Sequence, residues 1–389
     1  MTEIDAGEFA TLLHAYGRAS DTPEHLAALV DADPAGRRAA LEHLWSAVIH
    51  QGTPWTATPP AAVTVAALLG DPRLSGAADA ELRADLLRFL AAVAEAGRSH
   101  PDPDEFAPPA GFDVDAALTA ALDSGDEDEL YADEVMANAL YARAVLGCRE
   151  IVPTLLTAAA SALSDPEPTV RAAAAHAVGA CCAAPAATTE VMPLARRLDA
   201  LAAEAGPDER AALVLAMGEL GLEPRGYLDD PHPGVRACAA LAPALADDPA
   251  ATAELLAALA DPAATDGWFT HRPPQISTWI RFTLVAAAIA RVDGPGRLLP
   301  AALAIAPIAS RYTAQRDWGP LLHALFAGRD PGPLSPAQRR YLGALVDNED
   351  LWDPSNGSVG LVFRDAGLPY DRDACRDLVG ESTPSAPTR

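Results

Sequence analysis

Asp-Pro steps recur along the chain before stretches that are rich in alanine and leucine. Steps of this kind are Asp33-Pro34, Asp71-Pro72, Asp165-Pro166, Asp230-Pro231 and Asp261-Pro262. Aspartate before proline is a favourable helix start, because the carboxylate accepts hydrogen bonds from free backbone N–H groups and proline leaves no N–H unpaired in the first turn. The steps therefore predict a succession of short helices with marked starting points.

Apolar residues recur at intervals of three and four between these steps. The clearest series are Leu82-Leu86-Leu90-Val93, Leu194-Leu198-Leu201, Leu213-Met217-Leu220 and Phe282-Val285-Ile289-Val292. This spacing places the apolar side chains on one face of a helix. We find no convincing run of alternating apolar and polar residues of the kind that predicts a strand. The sequence thus predicts an all-α fold.

The composition agrees with closely packed helices. Of 389 residues, 88 are alanine and only 5% are aromatic, so the backbones of neighbouring helices can approach one another closely. All 28 basic residues are arginine. The absence of lysine excludes a phosphate-binding loop that ends in Gly-Lys, a Schiff-base enzyme and a Ser-x-x-Lys acyl-transfer site.

Two segments are near copies of each other. Residues 165–171 read Asp-Pro-Glu-Pro-Thr-Val-Arg, residues 230–236 read Asp-Pro-His-Pro-Gly-Val-Arg, and each leads into an alanine-rich helix. This motif resembles the bacterial HEAT repeat, of the kind shared with HEAT-like proteins of the phycobilin-lyase type. The resemblance is clearest over residues 150–262. It implies that Asp165 and Asp230 are capping residues, that Arg171 and Arg236 bridge neighbouring repeats, and that none of the four is catalytic.

The fold that the resemblance implies is an α-solenoid, a HEAT-like superhelix of antiparallel helix pairs that bury their apolar faces against one another. We expect one such array over residues 1–380. At its C-terminal end we expect a small hairpin that turns at Asn356-Gly357 and caps the last repeat. Residues 381–389 are polar and are expected to form a disordered tail.

The net charge of −26 constrains the partners. Binding to nucleic acid or to an anionic membrane draws on basic residues, and this chain has 54 acidic residues against 28 arginines. We therefore expect no nucleic acid and no membrane, and favour a basic protein as partner. Five cysteines, an odd number, and the absence of a secretory signal indicate a bacterial cytoplasmic protein.

Motifs for catalysis and metal binding are missing. No histidine is followed by glutamate, and neither Cys-x-x-Cys nor His-Glu-x-x-His occurs, so we expect no metal and no cofactor. Gly-x-Ser-x-Gly and a dinucleotide fingerprint are also absent. Cys182 and His176 are six residues apart, which places them on different faces of one helix.

Five of the six tryptophans lie in or near two segments. The first segment contains Trp45, His50, Gln51 and Trp55, and the second contains Trp268, His271, Arg272 and Trp279, with Trp318 beyond it. Tryptophan and arginine are frequent anchors of protein interfaces. These residues are our candidates for binding a partner, and no residue is assigned a catalytic role. The alternatives are that the rings fill gaps between helices, or that they line a small-molecule or catalytic pocket.

Three functional hypotheses follow. The first is a non-enzymatic protein-binding scaffold or adaptor, whose more specific form is an immunity-type inhibitor of a basic toxin. The second is a lyase-like enzyme or ligand-binding protein with a pocket around His50, Gln51, Trp55 and His271. The third is a nucleic-acid-binding HEAT protein of the DNA-glycosylase kind, which the charge disfavours. The sequence does not determine the oligomeric state.

Overall fold

Helices account for most of the chain in the computed structural model, so the all-α fold class is confirmed. The structure describes residues 5–31, 33–100, 102, 105, 108–124, 133–183, 191–328, 332–353, 355 and 357–380. The chain divides into two units, residues 1–220 (unit 1) and 221–389 (unit 2). The single array over residues 1–380 stays a prediction. The tail predicted at residues 381–389 lies outside the described residues.

Unit 1 contains helices and two small β-hairpins. Its α-helices are Ala6–Phe9 (α1), Thr22–Ala28 (α2), Pro34–His43 (α3), Thr58–Leu68 (α4), Ala80–Ala96 (α5), Val114–Ser124 (α6), Glu134–Glu150 (α7), Val152–Ala162 (α8), Pro168–Cys182 (α9), Val191–Glu204 (α10) and Pro207–Glu219 (α11). A π-helix spans Leu44–Val48, and 3-10 turns span Pro72–Leu74 and Ala77–Asp79. The antiparallel strand pairs are Leu13–His14 (β1) with Gly17–Arg18 (β2), and Ile49–His50 (β3) with Thr53–Pro54 (β4). Strands of two residues are too short to show an alternating pattern, so the sequence did not predict them.

Helix α9 forms the centre of unit 1. It packs against α5, α8 and α11, and α10 packs on α11. Ala173, Ala174, Ala175 and Ala177 are completely buried. Because alanine side chains are short, α9 can pack closely against several helices at once.

The Asp-Pro steps do start helical segments, but not all at the same position. Asp33 accepts hydrogen bonds from the N–H groups of Ala35 and Gly36, and α3 begins at Pro34 as predicted. In the two copies of the motif, the helix begins two residues later, at the second proline, Pro168 or Pro233. The residue before a proline is restricted to extended backbone, so Glu167 and His232 cannot be helical.

The aspartates of the motif therefore close the turn that precedes the helix. Asp165 Oδ1 accepts from the N–H of Glu167 at 2.9 Å, and Asp230 Oδ1 accepts from the N–H of His232 at 2.8 Å. The expected capping role is thus corrected: neither carboxylate binds the first helical turn in these bonds. The second proline, at the fourth position of the motif, is the cause.

The arginines of the motif link each turn to a later helix. Arg171 donates to the carbonyl of Asp165 at 2.9 Å and to both carboxylate oxygens of Glu209 in α11 at 2.6 and 2.8 Å. Arg236 donates to the carbonyl of Asp230 and to Glu254, both at 3.0 Å. The two arginines therefore make equivalent contacts, while their role in bridging neighbouring repeats stays a prediction.

Unit 2 continues with helices. Its α-helices are Pro233–Ala240 (α12), Pro249–Ala258 (α13), Pro262–Asp266 (α14), Ile280–Arg291 (α15), Leu299–Ile305 (α16), Trp318–Phe326 (α17), Pro336–Asp347 (α18), Gly357–Asp365 (α19) and Arg372–Gly380 (α20). Its 3-10 turns span Arg225–Asp229, Pro243–Leu245, Pro295–Leu298, Ala306–Ile308 and Glu349–Leu351. Among the described residues of unit 2 there is no strand.

The predicted C-terminal hairpin is wrong. Gly357 begins α19, whose buried residues Val359, Val362 and Phe363 follow helical spacing. That apolar face packs beside the ring of Trp352, 4.9 Å from Phe363 between ring centres. Helical periodicity therefore outweighs the Asn-Gly turn signal here.

A buried arginine joins the first and second halves of unit 1. Arg83 in α5 is only 4% exposed and donates to the two oxygens of Asp165 at 2.9 and 3.0 Å. Its remaining nitrogen donates to the carbonyls of Leu74 and Gly76 at 2.6 and 2.7 Å. One guanidinium thus fixes the loop before α5 and the loop before α9.

We expect Arg83→Ala to lower the free energy of unfolding by about 3–5 kcal/mol, because it leaves the Asp165 carboxylate without its buried partner. Urea unfolding followed by circular dichroism measures this loss. Arg73→Ala is the matched control: Arg73 pairs with Asp71 on the surface, where solvent screens the charges and the pair contributes little to stability. Equal losses in the two variants would contradict the prediction.

His176 in α9 makes unit 1 sensitive to acid. Burial and, to a smaller extent, the charges of Arg88 and Arg98 lower the pKa of His176 to about 4. An unfolded chain binds this proton near pH 6.5, whereas the folded chain binds it only near pH 4. The free energy of unfolding therefore keeps its full value above pH 6.5. It falls as the pH is lowered from 6.5 toward 4, by about 3 kcal/mol in total, because the unfolded chain binds the proton first.

We expect His176→Gln to remove this loss from the pH dependence of the urea midpoint between pH 6.5 and pH 4, even if it lowers stability at pH 7. Thr53→Val, which changes an exposed residue without an ionisable group, serves as control and should keep the slope of the wild type. An unchanged slope in His176→Gln would show that other groups cause the acid sensitivity.

Candidate functional site

The two hairpins of unit 1 lie side by side. The N–H of Ala15 donates to the carbonyl of Ala47 at 2.9 Å, and the N–H of Leu13 donates to the hydroxyl of Thr56 at 2.8 Å. This alignment brings Tyr16 of the first hairpin against His50 of the second, with 5.8 Å between ring centres. The first predicted segment thus belongs to a site that also includes residues near position 15.

The structure places the four candidate residues of the first segment in different environments. Trp45 is 41% exposed and packs its edge against Phe89 in α5. His50 is half-buried, and its Nδ1 donates to the carbonyl of Ser46 at 2.8 Å. Gln51 is exposed at the tip of the hairpin, and Trp55 is half-buried.

A small cavity lies beside Trp55. Its volume is about 130 Å³, and it is lined mainly by apolar groups, among them Leu13, Pro54, Leu140 and Tyr141. Pockets for drug-sized ligands and cofactors measure about 300–1,000 Å³. The cavity has room for one apolar side chain or a molecule of that size.

Three histidines and two neighbouring residues form a cluster beside these hairpins. We call His14, Asp21, Thr22, His25 and His43 the histidine cluster. His14 Nε2 lies 2.9 Å from Asp21 Oδ1, and His43 Nε2 lies 2.9 Å from the hydroxyl of Thr22. The ring of His25 stacks on that of His43 at 4.2 Å, and His14 meets His43 edge-on at 5.3 Å.

The hydrogen bonds of the cluster determine where its protons lie. The N–H of Tyr16 donates to His14 Nδ1 at 3.1 Å, so the ring proton of neutral His14 sits on Nε2 and is donated to Asp21. Burial raises the pKa of Asp21, but the hydrogen bond from His14 and the nearby imidazoles lower it more, so the net shift is downward. Burial, together with the neighbouring His25, lowers the pKa of His43 to about 4. At neutral pH, Asp21 is therefore ionised and His43 is neutral.

Three members of the cluster offer ligands for a metal. His14, Asp21 and His43 each place one ligand atom within 4.8 Å of the other two. No sequence motif reveals this set, because the first hairpin, the residue before α2 and the end of α3 contribute one residue each and no local spacing connects them. One feature of the sequence does point to the cluster: four of the nine histidines lie within the first 50 residues.

The second predicted segment surrounds a buried ion-pair triad in unit 2. Arg281 is 7% exposed and pairs with Asp266 and with Asp317, the latter at 3.1 Å. The guanidinium also lies 5.4 Å from the ring centre of Trp279 and 4.7 Å from that of Phe282. Burial raises the pKa of Asp317 although Arg281 and the N–H of Trp318 stabilise its charge.

Within this segment, exposure differs from residue to residue. Trp279 is 49% exposed, and His271 and Arg272 are also exposed, with Arg272 donating to the carbonyl of Thr278. Trp268 is half-buried. Trp279 and Arg272 are therefore the members of this segment with most surface to offer a partner.

Trp318 does not belong to a partner surface. It is completely buried, its indole N–H donates to the carbonyl of Ser310 at 2.9 Å, and its own carbonyl accepts from the hydroxyl of Tyr341 at 2.8 Å. This position corrects its assignment as a binding residue. The tryptophan fills the core of unit 2, where it packs near Phe363.

Comparisons with protein-family models, curated proteins and solved structures find no match for the chain. Among the described residues, no single helix is long and apolar enough to cross a membrane. One bent pair, Glu134–Glu150 with Val152–Ala162, meets the length and composition criteria together.

The turn between β3 and β4 gives a test of the hairpin that carries His50. Gln51 has φ 52°, the only positive φ outside glycine in the described residues, and Gly52 follows with φ 83°. Two successive positive φ values are typical of a two-residue type I′ turn, which prefers Asn-Gly. We expect Gln51→Asn to raise the free energy of unfolding by about 0.5 kcal/mol and Gln51→Val to lower it by about 1–2 kcal/mol.

Chemical denaturation of the two Gln51 variants measures these changes. Thr53→Val, at an exposed strand position of the same hairpin, is the control and should change stability little. If valine were tolerated equally well at both positions, the left-handed turn would not be under strain.

Proposed function

We propose that the protein is a HEAT-like α-solenoid that acts as a non-enzymatic scaffold and binds a basic protein. The contacts of α9 with α5 and α11, together with those of α8 with α9 and of α10 with α11, carry this proposal. Repeats of a helix-pair solenoid contact their neighbours in this way and leave long outer surfaces for other macromolecules. The equivalent bonds of Arg171 and Arg236 support the same assignment.

The distribution of charge supports a basic partner and favours unit 1 as its docking region. Residues 1–220 contain 34 acidic residues and 13 arginines, whereas residues 221–389 contain 20 and 15. Unit 1 therefore carries −21 of the net charge of −26. A field of this sign speeds association with a basic protein and repels nucleic acid.

Exposed tryptophans add anchoring contacts for a partner to the attraction between opposite charges. Trp45 in unit 1 and Trp279 in unit 2 are the two tryptophans with exposures above 40%. Interface anchors are typically tryptophan, tyrosine and arginine, because such side chains bury a large area with few rotatable bonds. Each of these tryptophans supports a contact on its own unit.

A groove in unit 1 provides additional surface for a partner. It lies between α4 and α8, has a volume of about 680 Å³ and is lined by small residues such as Ala66, Gly70, Thr157 and Ser161. The alternative function, a lyase-like enzyme or ligand-binding protein, is supported by the 130 Å³ cavity beside Trp55. We prefer the scaffold to a ligand site at Trp55, because the cavity there is too small for a typical substrate or cofactor.

Capture from an extract of the native host tests the proposal. The immobilised full chain should retain a basic protein at 50 mM salt and release most of it at 300 mM, since opposite charges are screened over roughly 10 Å at 0.1 M salt. Trp45→Ala and Trp279→Ala should each reduce capture of that protein about tenfold or more, as anchors do. A basic toxin as the captured protein would support the immunity-type form of the proposal.

Tyr312→Ala is the matched control, because Tyr312 is 81% exposed and lies outside both tryptophan segments. It should retain the partner. If both tryptophan variants also retained every captured protein, or if the captured proteins were acidic, the proposed surface would be refuted.

A further inference from the structure

We propose that His14, Asp21 and His43 bind one divalent transition-metal ion of the zinc type. The proposal is independent of the scaffold function, because it depends only on the histidine cluster. Two imidazoles and one carboxylate are ligands that zinc and its neighbours in the first transition row prefer, whereas magnesium and calcium prefer oxygen ligands alone.

The distances leave room for the ion between Asp21 and His43. Asp21 Oδ2 and His43 Nδ1 are 3.9 Å apart, which is too long for a hydrogen bond. Zinc lies about 2.0–2.2 Å from its nitrogen and oxygen ligands, so two ligands of one ion are roughly 3.3–4 Å apart. An ion therefore fits between these two atoms with little movement. His14 Nε2, next to the other oxygen of Asp21, completes the set within 4.8 Å.

Hydrogen bonds position the ligands in advance. His43 Nε2 is held by Thr22 at 2.9 Å, and when that nitrogen donates its proton to the hydroxyl, the lone pair of Nδ1 faces Asp21. The stacked ring of His25 restricts the rotation of His43. Both ligand imidazoles are buried, while the side chain of Asp21 is 53% exposed. The ion can thus enter from the side of Asp21 and keep a water ligand there.

Metal binding requires one rearrangement at His14. Its Nε2 must lose the proton that it donates to Asp21, and Nδ1 must gain one by exchange with solvent, so that the imidazole stays neutral and the proton count is unchanged. The N–H of Tyr16 then turns away from Nδ1. Tyr16 is 64% exposed at the tip of its hairpin, so this N–H can bind water instead. The cluster exchanges two hydrogen bonds for a coordinate bond from His14.

A bound ion would connect the first hairpin to α2 and α3. In sequence, the three ligands come from β1, the residue before α2 and the last residue of α3. We therefore expect the ion to stabilise this part of unit 1 and to fix the position of Tyr16 beside His50. A metal site here would also bring a positive charge to a strongly acidic unit.

The test uses the full chain after treatment with EDTA and dialysis. Zinc chloride is titrated by calorimetry, and cobalt chloride is titrated by visible absorption, in which nitrogen and oxygen coordination gives a characteristic spectrum. We expect one equivalent to bind and the thermal midpoint to rise with zinc, but not with magnesium. Asp21→Asn, which keeps the shape of the exposed side chain, should weaken zinc binding about 100-fold, and His14→Gln should abolish it.

His271→Gln is the matched control, because it removes an exposed histidine that lies outside the histidine cluster and contributes no ligand. It should retain the cobalt spectrum. Circular dichroism and thermal midpoints in EDTA establish that each variant is folded, and Asp21→Asn suffices as the test if His14→Gln fails to fold. Zinc binding that is equal in wild type, Asp21→Asn and His14→Gln, or absent from the wild type, would overturn the proposal and leave the cluster as a hydrogen-bonded network.

Discussion

Bonds from arginine to the ends of helices hold this alanine-rich structure together. The last carbonyls of a helix have no partner within the helix, and alanine side chains cannot supply one. Arginine side chains supply the missing hydrogen-bond donor at five helix ends. Arg98 donates to the carbonyl of Ala180, Arg149 to Gly97, Arg197 to Ala160, Arg210 to Ala202, and Arg291 to Leu241 and Ala242. Each positive charge also lies at the negative end of a helix dipole. With five donors in a rigid fork, arginine can serve several carbonyls at once, which lysine does less well.

This use of arginine also explains the electrostatic character of the surface. Arg83 and Arg281 are buried with acidic partners, and the arginines at helix ends are turned toward backbone carbonyls. Since these guanidinium groups are bound to carboxylates and carbonyls of the same chain, fewer of them are available to a partner. The net charge itself is set by the composition, with 54 acidic residues against 28 arginines. Unit 1 carries most of this charge, which favours basic partners.

Sequence patterns predicted the parts of the fold that depend on local periodicity. The helices follow from the spacing of apolar residues, whereas a bridging role for Arg171 and Arg236 is implied only by the resemblance of the repeated motif and stays a prediction. The start of α9 was misplaced because the second proline, Pro168, prevents Glu167 from being helical. The hairpins were missed because their strands are too short to show a pattern. Trp318 was misassigned because sequence alone does not distinguish a buried tryptophan from an exposed one.

The histidine cluster was missed for a different reason, and that reason indicates where chemistry can occur in such a protein. Alanine helices packed this closely admit single buried polar side chains such as His176, whereas a cluster of several polar groups needs the space that opens where the helical packing is interrupted. The first 57 residues provide such interruptions: two hairpins, a π-helix directly after His43, and the short helix α2. A π-helix inserts an extra residue into a turn and is often associated with a functional position. His14, Asp21 and His43 come together only because these irregular elements fold against one another, and a search for motifs of fixed spacing cannot detect a site of that kind.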